Sequence, residues 1–230
     1  MLFRSYLAKS FVSSGLHHML RNLRKSGSDT KVYIDTIDAY IPLLEEAQNI
    51  PALMGIEGKC RNVYYSAFKV LLKKDFTWKS RSKRPPRDPI NAMISFGNSL
   101  IYTTILSEIY KTVLDPTVSF LHEPSRKRFS LCLDLSEIFK PLLVDPIIFS
   151  LVNNRRISEV NFDFTDSAVF LNGEGRKRFL AAFDEKMKTT IMHRKLKRKV
   201  SYRYLIRLEA YKLIKHFLGD EVYKPFKAWW

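Results

Sequence analysis

Residues 84–107 read RPPRDPINAMISFGNSLIYTTILS. The paired Pro85 and Pro86 exclude a helix at this point, because each ring pushes the preceding residue out of the α region. Asp88 then offers an N-cap carboxylate, and Pro89 suits the first helical position, where no backbone N–H is required. From Ile90 to Ser107 no residue is charged. Asn91, Ser95, Gly97, Asn98, Ser99, Thr103 and Thr104 make this stretch too polar for a membrane span, so it predicts a helix buried in protein. A stiff basic loop running into a core helix points to an all-α chain.

The flanking segments agree. Residues 2–25 place Phe11, Leu16, Met19, Leu20 and Leu23 at helical spacing, which predicts a packed first helix. The first 28 residues, with Arg4, Lys9, Arg21, Arg24, Lys25, several serines and no acid, also have the composition of an organellar transit peptide. Ser26-Gly27-Ser28-Asp29 terminates the helix. A second helix is expected over 31–48, with Tyr33, Ile37, Tyr40, Ile41 and Leu44 on one face. After the break at Asn49-Ile50-Pro51, a third runs over 52–74. The segment 79–88 is a loop. Another helix is expected to begin at Asp134 or shortly after Pro141. Residues 152–175 read as a polar connection, and 176–207 as a folded basic helical face keyed by Leu196, Val200, Tyr204, Leu208 and Tyr211. With 230 residues the chain is expected to form one domain, 1–230. Its parts are N-terminal helices (1–78), a central segment (79–151) and basic C-terminal helices (152–230).

Composition narrows the function. The formal charge is +16, a field that favours polyanions. Between Arg176 and Arg207 twelve Lys or Arg face only Asp184 and Glu185. Tyr202, Tyr204 and Tyr211 interleave with them, as expected of a nucleic-acid face. Arg81, Lys83, Arg84 and Arg87 in the loop, with Arg198 and Arg203 near the C-terminus, are expected to contact phosphates without reading sequence. Cys60 and Cys132 lie far apart with no CxxC spacing and read as ordinary thiols. There is no Walker A loop, no GxSxG elbow and no zinc-type cysteine pairing.

Four residues are candidates for chemistry. Asp134 and Glu137 stand three apart, which suits either a capping box or two carboxylates on one helical face facing a divalent ion. His122 is either a satisfied structural histidine or the imidazole of a mixed site accepting Mg²⁺ or Mn²⁺. Glu57, within Gly55-Ile-Glu-Gly58, is either a first-turn acid favoured by the helix dipole or a further ligand.

The run Arg84 to Gly97, the Phe120-Leu-His122 element, the Ser130-Leu-Cys-Leu-Asp134-Leu-Ser-Glu137-Ile-Phe-Lys-Pro141 block and Gly55-Ile-Glu-Gly58 together resemble CRISPR-associated protein 1. Ser201-Tyr202-Arg203 and Arg207 to Lys212 resemble that family's closing helices. The resemblance implies a helical catalytic domain, a DNA endonuclease and integrase that inserts spacer DNA into a repeat array, and a cytoplasmic prokaryotic setting. It makes Glu57, His122 and Glu137 the ligands of Mg²⁺ or Mn²⁺, Asp134 the companion acid, and Tyr102 and Lys140 neighbours of the scissile phosphate. The family usually has tyrosine where Asn98 stands. It also implies a homodimer, CRISPR-associated protein 2 and double-stranded or branched DNA as partners. Family members begin with a small β-rich domain, whereas this chain is expected to start at the first catalytic-domain helix. The alternatives are a non-catalytic DNA-binding remnant and a stand-alone nuclease for branched DNA.

Overall fold

The computed structural model describes residues 2–72, 76, 78–123 and 129–230. The sequence's basic run Arg126-Lys127-Arg128, just before the Asp134 and Glu137 block, lies outside the described residues, as do residues 73 and 74 of the expected third helix. Helix α1 (Leu2–Arg24) runs through the core and buries Leu7, Phe11, Leu16, Met19, Leu20 and Leu23. Gly27, at φ +97, supplies the left-handed turn after it. Helices α2 (Lys31–Glu46), α3 (Ile50–Ser66) and α6 (Ser130–Phe139) pack on α1. A short α4 (Phe68–Leu71) follows α3, so the expected third helix breaks at Ala67.

Helix α5 (Pro89–Ile109) starts as its sequence requires: the Asp88 side chain accepts from Asn91 N, with Pro89 at the first position. It buries Ile90, Met93, Ile94, Ile101 and Ile105 against α6 and the C-terminal helix α9 (Tyr202–Phe217). No helix of the described residues is long and apolar enough to cross a membrane.

Past α6 the chain widens into a single π turn (Lys140–Val144) before α7 (Asp145–Asn153). Helix α6 thus starts four residues before the expected Asp134. Leu131, Cys132, Leu135 and Ile138 give it a buried face, and that burial rather than a cap sets its start.

Two further expectations fail. Residues 152–175 hold a hairpin, β1 (Phe162–Phe164) with β2 (Val169–Leu171), paired Phe162 to Leu171 and Phe164 to Val169. It is tied to the basic loop by Val169 N–H donating to Pro86 O at 2.9 Å. Helix α8 (Gly173–Lys188) follows, and a Cβ on Gly175 would stand 2.2 Å from Asn161 O. The basic region is likewise interrupted, by β3 (Thr190–His193) and β4 (Arg198–Ser201), before α9 (Tyr202–Phe217). Leu196 sits exposed at the hairpin tip, and the buried face of α9 is Tyr202, Leu205, Ile206, Ala210 and Leu213. In α2, Ile37 and Leu44 are buried but Ile41 is exposed.

The residues after α9 return to α1. Glu209, buried, accepts from Tyr223 Oη at 2.5 Å and Phe226 N at 3.1 Å. His18 Nδ1–H donates to Ile138 O (3.0 Å) and its Nε2 accepts from Ala228 N–H (3.1 Å), so only the neutral ring satisfies both neighbours. Burial first, then His17, pushes the His18 pKa from 6.5 down to about 3. Asp145 is the opposite case: burial lifts it from 3.8 to about 7, although the Tyr64 hydroxyl donates to it at 3.0 Å.

Their linkages oppose each other. The unfolded chain binds a proton at His18 that the fold refuses, so acidification below 6.5 weakens folding. The fold retains a proton at Asp145 that the unfolded chain has released, so the same acidification strengthens it. Asp145→Asn should expose the His18 slope, with unfolding free energy in urea falling by about 1 kcal/mol per pH unit from roughly pH 6.5 to pH 5. The parent should stay nearly flat there. Equal slopes in both proteins would refute the assignment.

Candidate metal and DNA site

Three elements converge beside α1. Asn49 caps α3, its side chain accepting from Ala52 N, and this places Glu57 at the start of the third turn rather than in the first. The helix-dipole explanation for Glu57 therefore falls. Glu137 lies on α6, where Gly15 of α1 comes so close that a Cβ would meet Glu137 O at 2.8 Å. His122 sits in the loop before α6. Glu57, His122 and Glu137 all line one cavity of about 340 Å³, with Arg61, Arg81, Lys83, Asn98 and Lys140 in its wall.

Asp134 does not cap its own helix. It is fully buried inside α6, and its carboxylate gathers the incoming loop: Oδ2 accepts from Phe120 N (2.6 Å) and Leu121 N (3.0 Å). Oδ1 accepts from His122 N (3.0 Å) and from His122 Nδ1 (2.8 Å). A carboxylate on Nδ1 fixes that proton and leaves the Nε2 lone pair free, the usual arrangement behind a metal-bound imidazole. The capping-box reading of Asp134 and Glu137 is thereby replaced.

The charges balance internally. Lys140 Nζ is 2.8 Å from Glu137 Oε1, and Arg61 donates to both Glu57 Oε1 and Glu137 Oε2. Burial opposes ionisation of Glu137, but Arg61 and Lys140 outweigh it and hold the pKa down to about 2. Sequence reading missed Arg61. Its one available signal was the spacing of four from Glu57, which reads equally well as an ordinary helical ion pair.

Two carboxylates, a backed imidazole and a shared cavity form a donor set that fits Mg²⁺ or Mn²⁺. As the side chains stand, with Arg61 between the carboxylates, no three His, Cys, Asp or Glu among the described residues are close enough to hold an ion.

The expected DNA contacts divide. Lys83 is exposed at the cavity, while Arg81 is half-buried and tied to Asn91 Oδ1 (2.7 Å) and Ser95 Oγ (3.2 Å). Arg84, Tyr102 and Lys140 line an adjoining cavity of about 420 Å³ that shares Asn98 and Lys140 with the first. The Tyr102 hydroxyl accepts from Phe129 N at 3.1 Å. Arg87 is exposed on the loop. Arg198 lies over the Tyr204 ring at 5.8 Å, and Arg203 is 3.8 Å from Glu108 of α5; neither lines either cavity.

The family model described as CRISPR associated protein Cas1 matches residues 2–185. A Clostridium perfringens protein named CRISPR-associated endonuclease Cas1 is 54% identical over 231 residues, covering 99% of this chain and 70% of its own. A Thermodesulfovibrio yellowstonii protein named CRISPR-associated endonuclease Cas1 3 is 57% identical over 227 residues, with 99% and 70% covered. The structure of a CAS1 protein from Thermotoga maritima superposes with a TM-score of 0.86 at 42% identity, covering 95% of this chain and 67% of that one. Two more distant structures share the fold. A casposase bound to an integration product gives TM-score 0.81 at 21% identity (95% and 65% covered), and a partial Cas6-RT-Cas1–Cas2 complex gives 0.89 at 18% (99% and 70% covered). A family match over most of the chain, relatives above half identity and a shared helical architecture lead to one conclusion: this chain belongs to the Cas1 family of CRISPR-associated proteins.

Proposed function

We propose that this chain, a nuclease and integrase of CRISPR adaptation, acts by divalent-metal-dependent phosphodiester chemistry on DNA. The observation carrying the reading is the cavity where Glu57, His122 and Glu137 meet, with His122 held from behind by buried Asp134. Glu57, Glu137 and His122 Nε2 would hold Mg²⁺ or Mn²⁺, which when bound polarises a phosphodiester and stabilises developing negative charge. Lys140 lines both cavities, and from that junction it would meet a phosphate entering either. Arg84 and Lys83 would neutralise neighbouring phosphates, and Arg87, Arg198 and Arg203 would extend the basic track. With a DNA 3′-hydroxyl as nucleophile the outcome is joining; with water it is cleavage. The Nδ1 proton of His122 is committed to Asp134, so Nε2 is the ring atom that can hold a ligand or take a proton. The setting is a prokaryotic cytoplasm, with a second copy and CRISPR-associated protein 2 as partners.

The test is direct. Purified protein given branched DNA, and 3′-hydroxyl duplexes with a repeat-bearing plasmid, should cleave and join with Mn²⁺ or Mg²⁺ and stop on chelation. Activity indifferent to chelation would remove the metal reading. Tight, salt-sensitive DNA binding without any turnover would instead favour the non-catalytic remnant.

A further inference from the structure

The Arg61 guanidinium is the group with no role in the chemistry above, and its placement is specific. It leaves α3 one turn after Glu57, is 17% exposed, and joins carboxylates on two different helices. Glu137 consequently has both oxygens engaged, Oε1 by Lys140 and Oε2 by Arg61, while Glu57 Oε1 is also held by Arg61. Of the four carboxylate oxygens that could ligate a cation, Arg61 thus holds one on each residue and Lys140 a third, and no three potential ligands among the described residues are within reach of one ion. Guanidinium is suited to such a post because its planar fork bridges two carboxylates and it does not lose its proton.

We propose that Arg61 is an exchangeable counter-ion: it holds Glu57 and Glu137 in place while no metal is bound, and metal binding releases its guanidinium into the cavity. The inference rests on the metal reading of this site. Two positive groups compete for one set of oxygens, so the metal and the Arg61 contacts weaken each other reciprocally. The released fork faces the same cavity as Lys83 and Lys140, and its donors match the oxygens of a phosphodiester. Metal binding would therefore switch Arg61 from carboxylate to phosphate, so that metal and DNA each favour the other's binding. Arg61 acts here as a positioning residue.

The measurement is Mn²⁺ affinity of the whole chain without DNA, read by electron paramagnetic resonance of free Mn²⁺, with melting temperature recorded alongside. Arg61→Gln should bind Mn²⁺ about tenfold more tightly than the parent, because one competitor is gone. Arg61→Lys, whose point charge cannot bridge both acids, should fall between and guards against misfolding of the glutamine variant. Without metal both variants should melt below the parent, and saturating Mn²⁺ should close that gap. A second readout is DNA affinity: Mn²⁺ should tighten it in the parent and much less in Arg61→Gln. If the parent binds Mn²⁺ through Glu137 and both Arg61 variants bind no more tightly, the exchange is wrong while the metal site stands. If neither parent nor variants bind Mn²⁺ in a Glu137-dependent way, the metal reading fails and takes the exchange with it.

Discussion

Glu137→Gln should lower DNA cleavage and joining by at least about a thousandfold, because it removes a ligand of the cation that would stabilise charge developing on the reacting phosphate. DNA affinity compared without divalent metal at moderate salt should change by less than about threefold, since the phosphate contacts come from Lys and Arg. The two readouts separate because Glu137 faces the cavity interior, whereas Lys83, Arg84 and Arg87 stand exposed along the loop. Gln keeps the side-chain shape and can still accept from Lys140, but it carries no charge for a cation. It also leaves Arg61 with Glu57 alone, which should destabilise the fold by about 2–3 kcal/mol, below the usual cost of breaking a buried pair outright. Circular dichroism and thermal melting must therefore accompany the assays. The pKa of Glu137 near 2 means that mild acid cannot mimic this substitution. Parallel loss of binding and turnover in a folded variant would assign Glu137 to DNA positioning instead, and retained turnover would remove it from the metal site.

What the sequence made legible was what local chemistry dictates. Asp88 with Pro89 begins α5, and the spacing of Phe11, Leu16, Met19, Leu20 and Leu23 sets the buried face of α1, because caps and helical periodicity act within a few residues. The two hairpins escaped for the converse reason. Strands of three and four residues offer too few positions for alternation to show. The run from Leu196 to Tyr211 held helical spacing only by crossing a turn at Lys197, whose φ of 50 ends any helix. Within the site, Asp134 and Glu137 share a helix yet face different tasks. Asp134 turns to a loop 12 to 14 residues earlier, while Glu137 meets Arg61, 76 positions away. No periodicity encodes contacts of that length. They follow from α1 passing beneath both helices, closely enough that only glycine serves at Gly15. The family resemblance supplied the grouping of Glu57, His122 and Glu137; Arg61 came from the packing alone.

Asp134→Asn should be as damaging as the loss of a ligand, though the residue lines neither cavity. Each carboxylate oxygen accepts two hydrogen bonds: Oδ2 from Phe120 N and Leu121 N, Oδ1 from His122 N and His122 Nδ1. An amide can present an oxygen to only one of those pairs. Turned with its oxygen to Phe120 and Leu121, it sets an N–H₂ against the His122 backbone donor and ring. The ring can escape only by moving its proton to Nε2, which removes the lone pair a metal requires. Turned the other way, the amide opposes the backbone donors of Phe120 and Leu121, which have no second partner among the described residues. Either orientation leaves buried polar groups unpaired, costing about 2–4 kcal/mol, and Mn²⁺ affinity should weaken by about 10–100-fold, as for other groups that orient a ligand. Nitrogen NMR of the labelled imidazole distinguishes the two arrangements. The parent should carry its ring proton on Nδ1, and the variant should shift it to Nε2 in proportion to the affinity lost. A variant that keeps the Nδ1 proton and binds Mn²⁺ within about twofold of the parent would show that Asp134 serves only to anchor the loop.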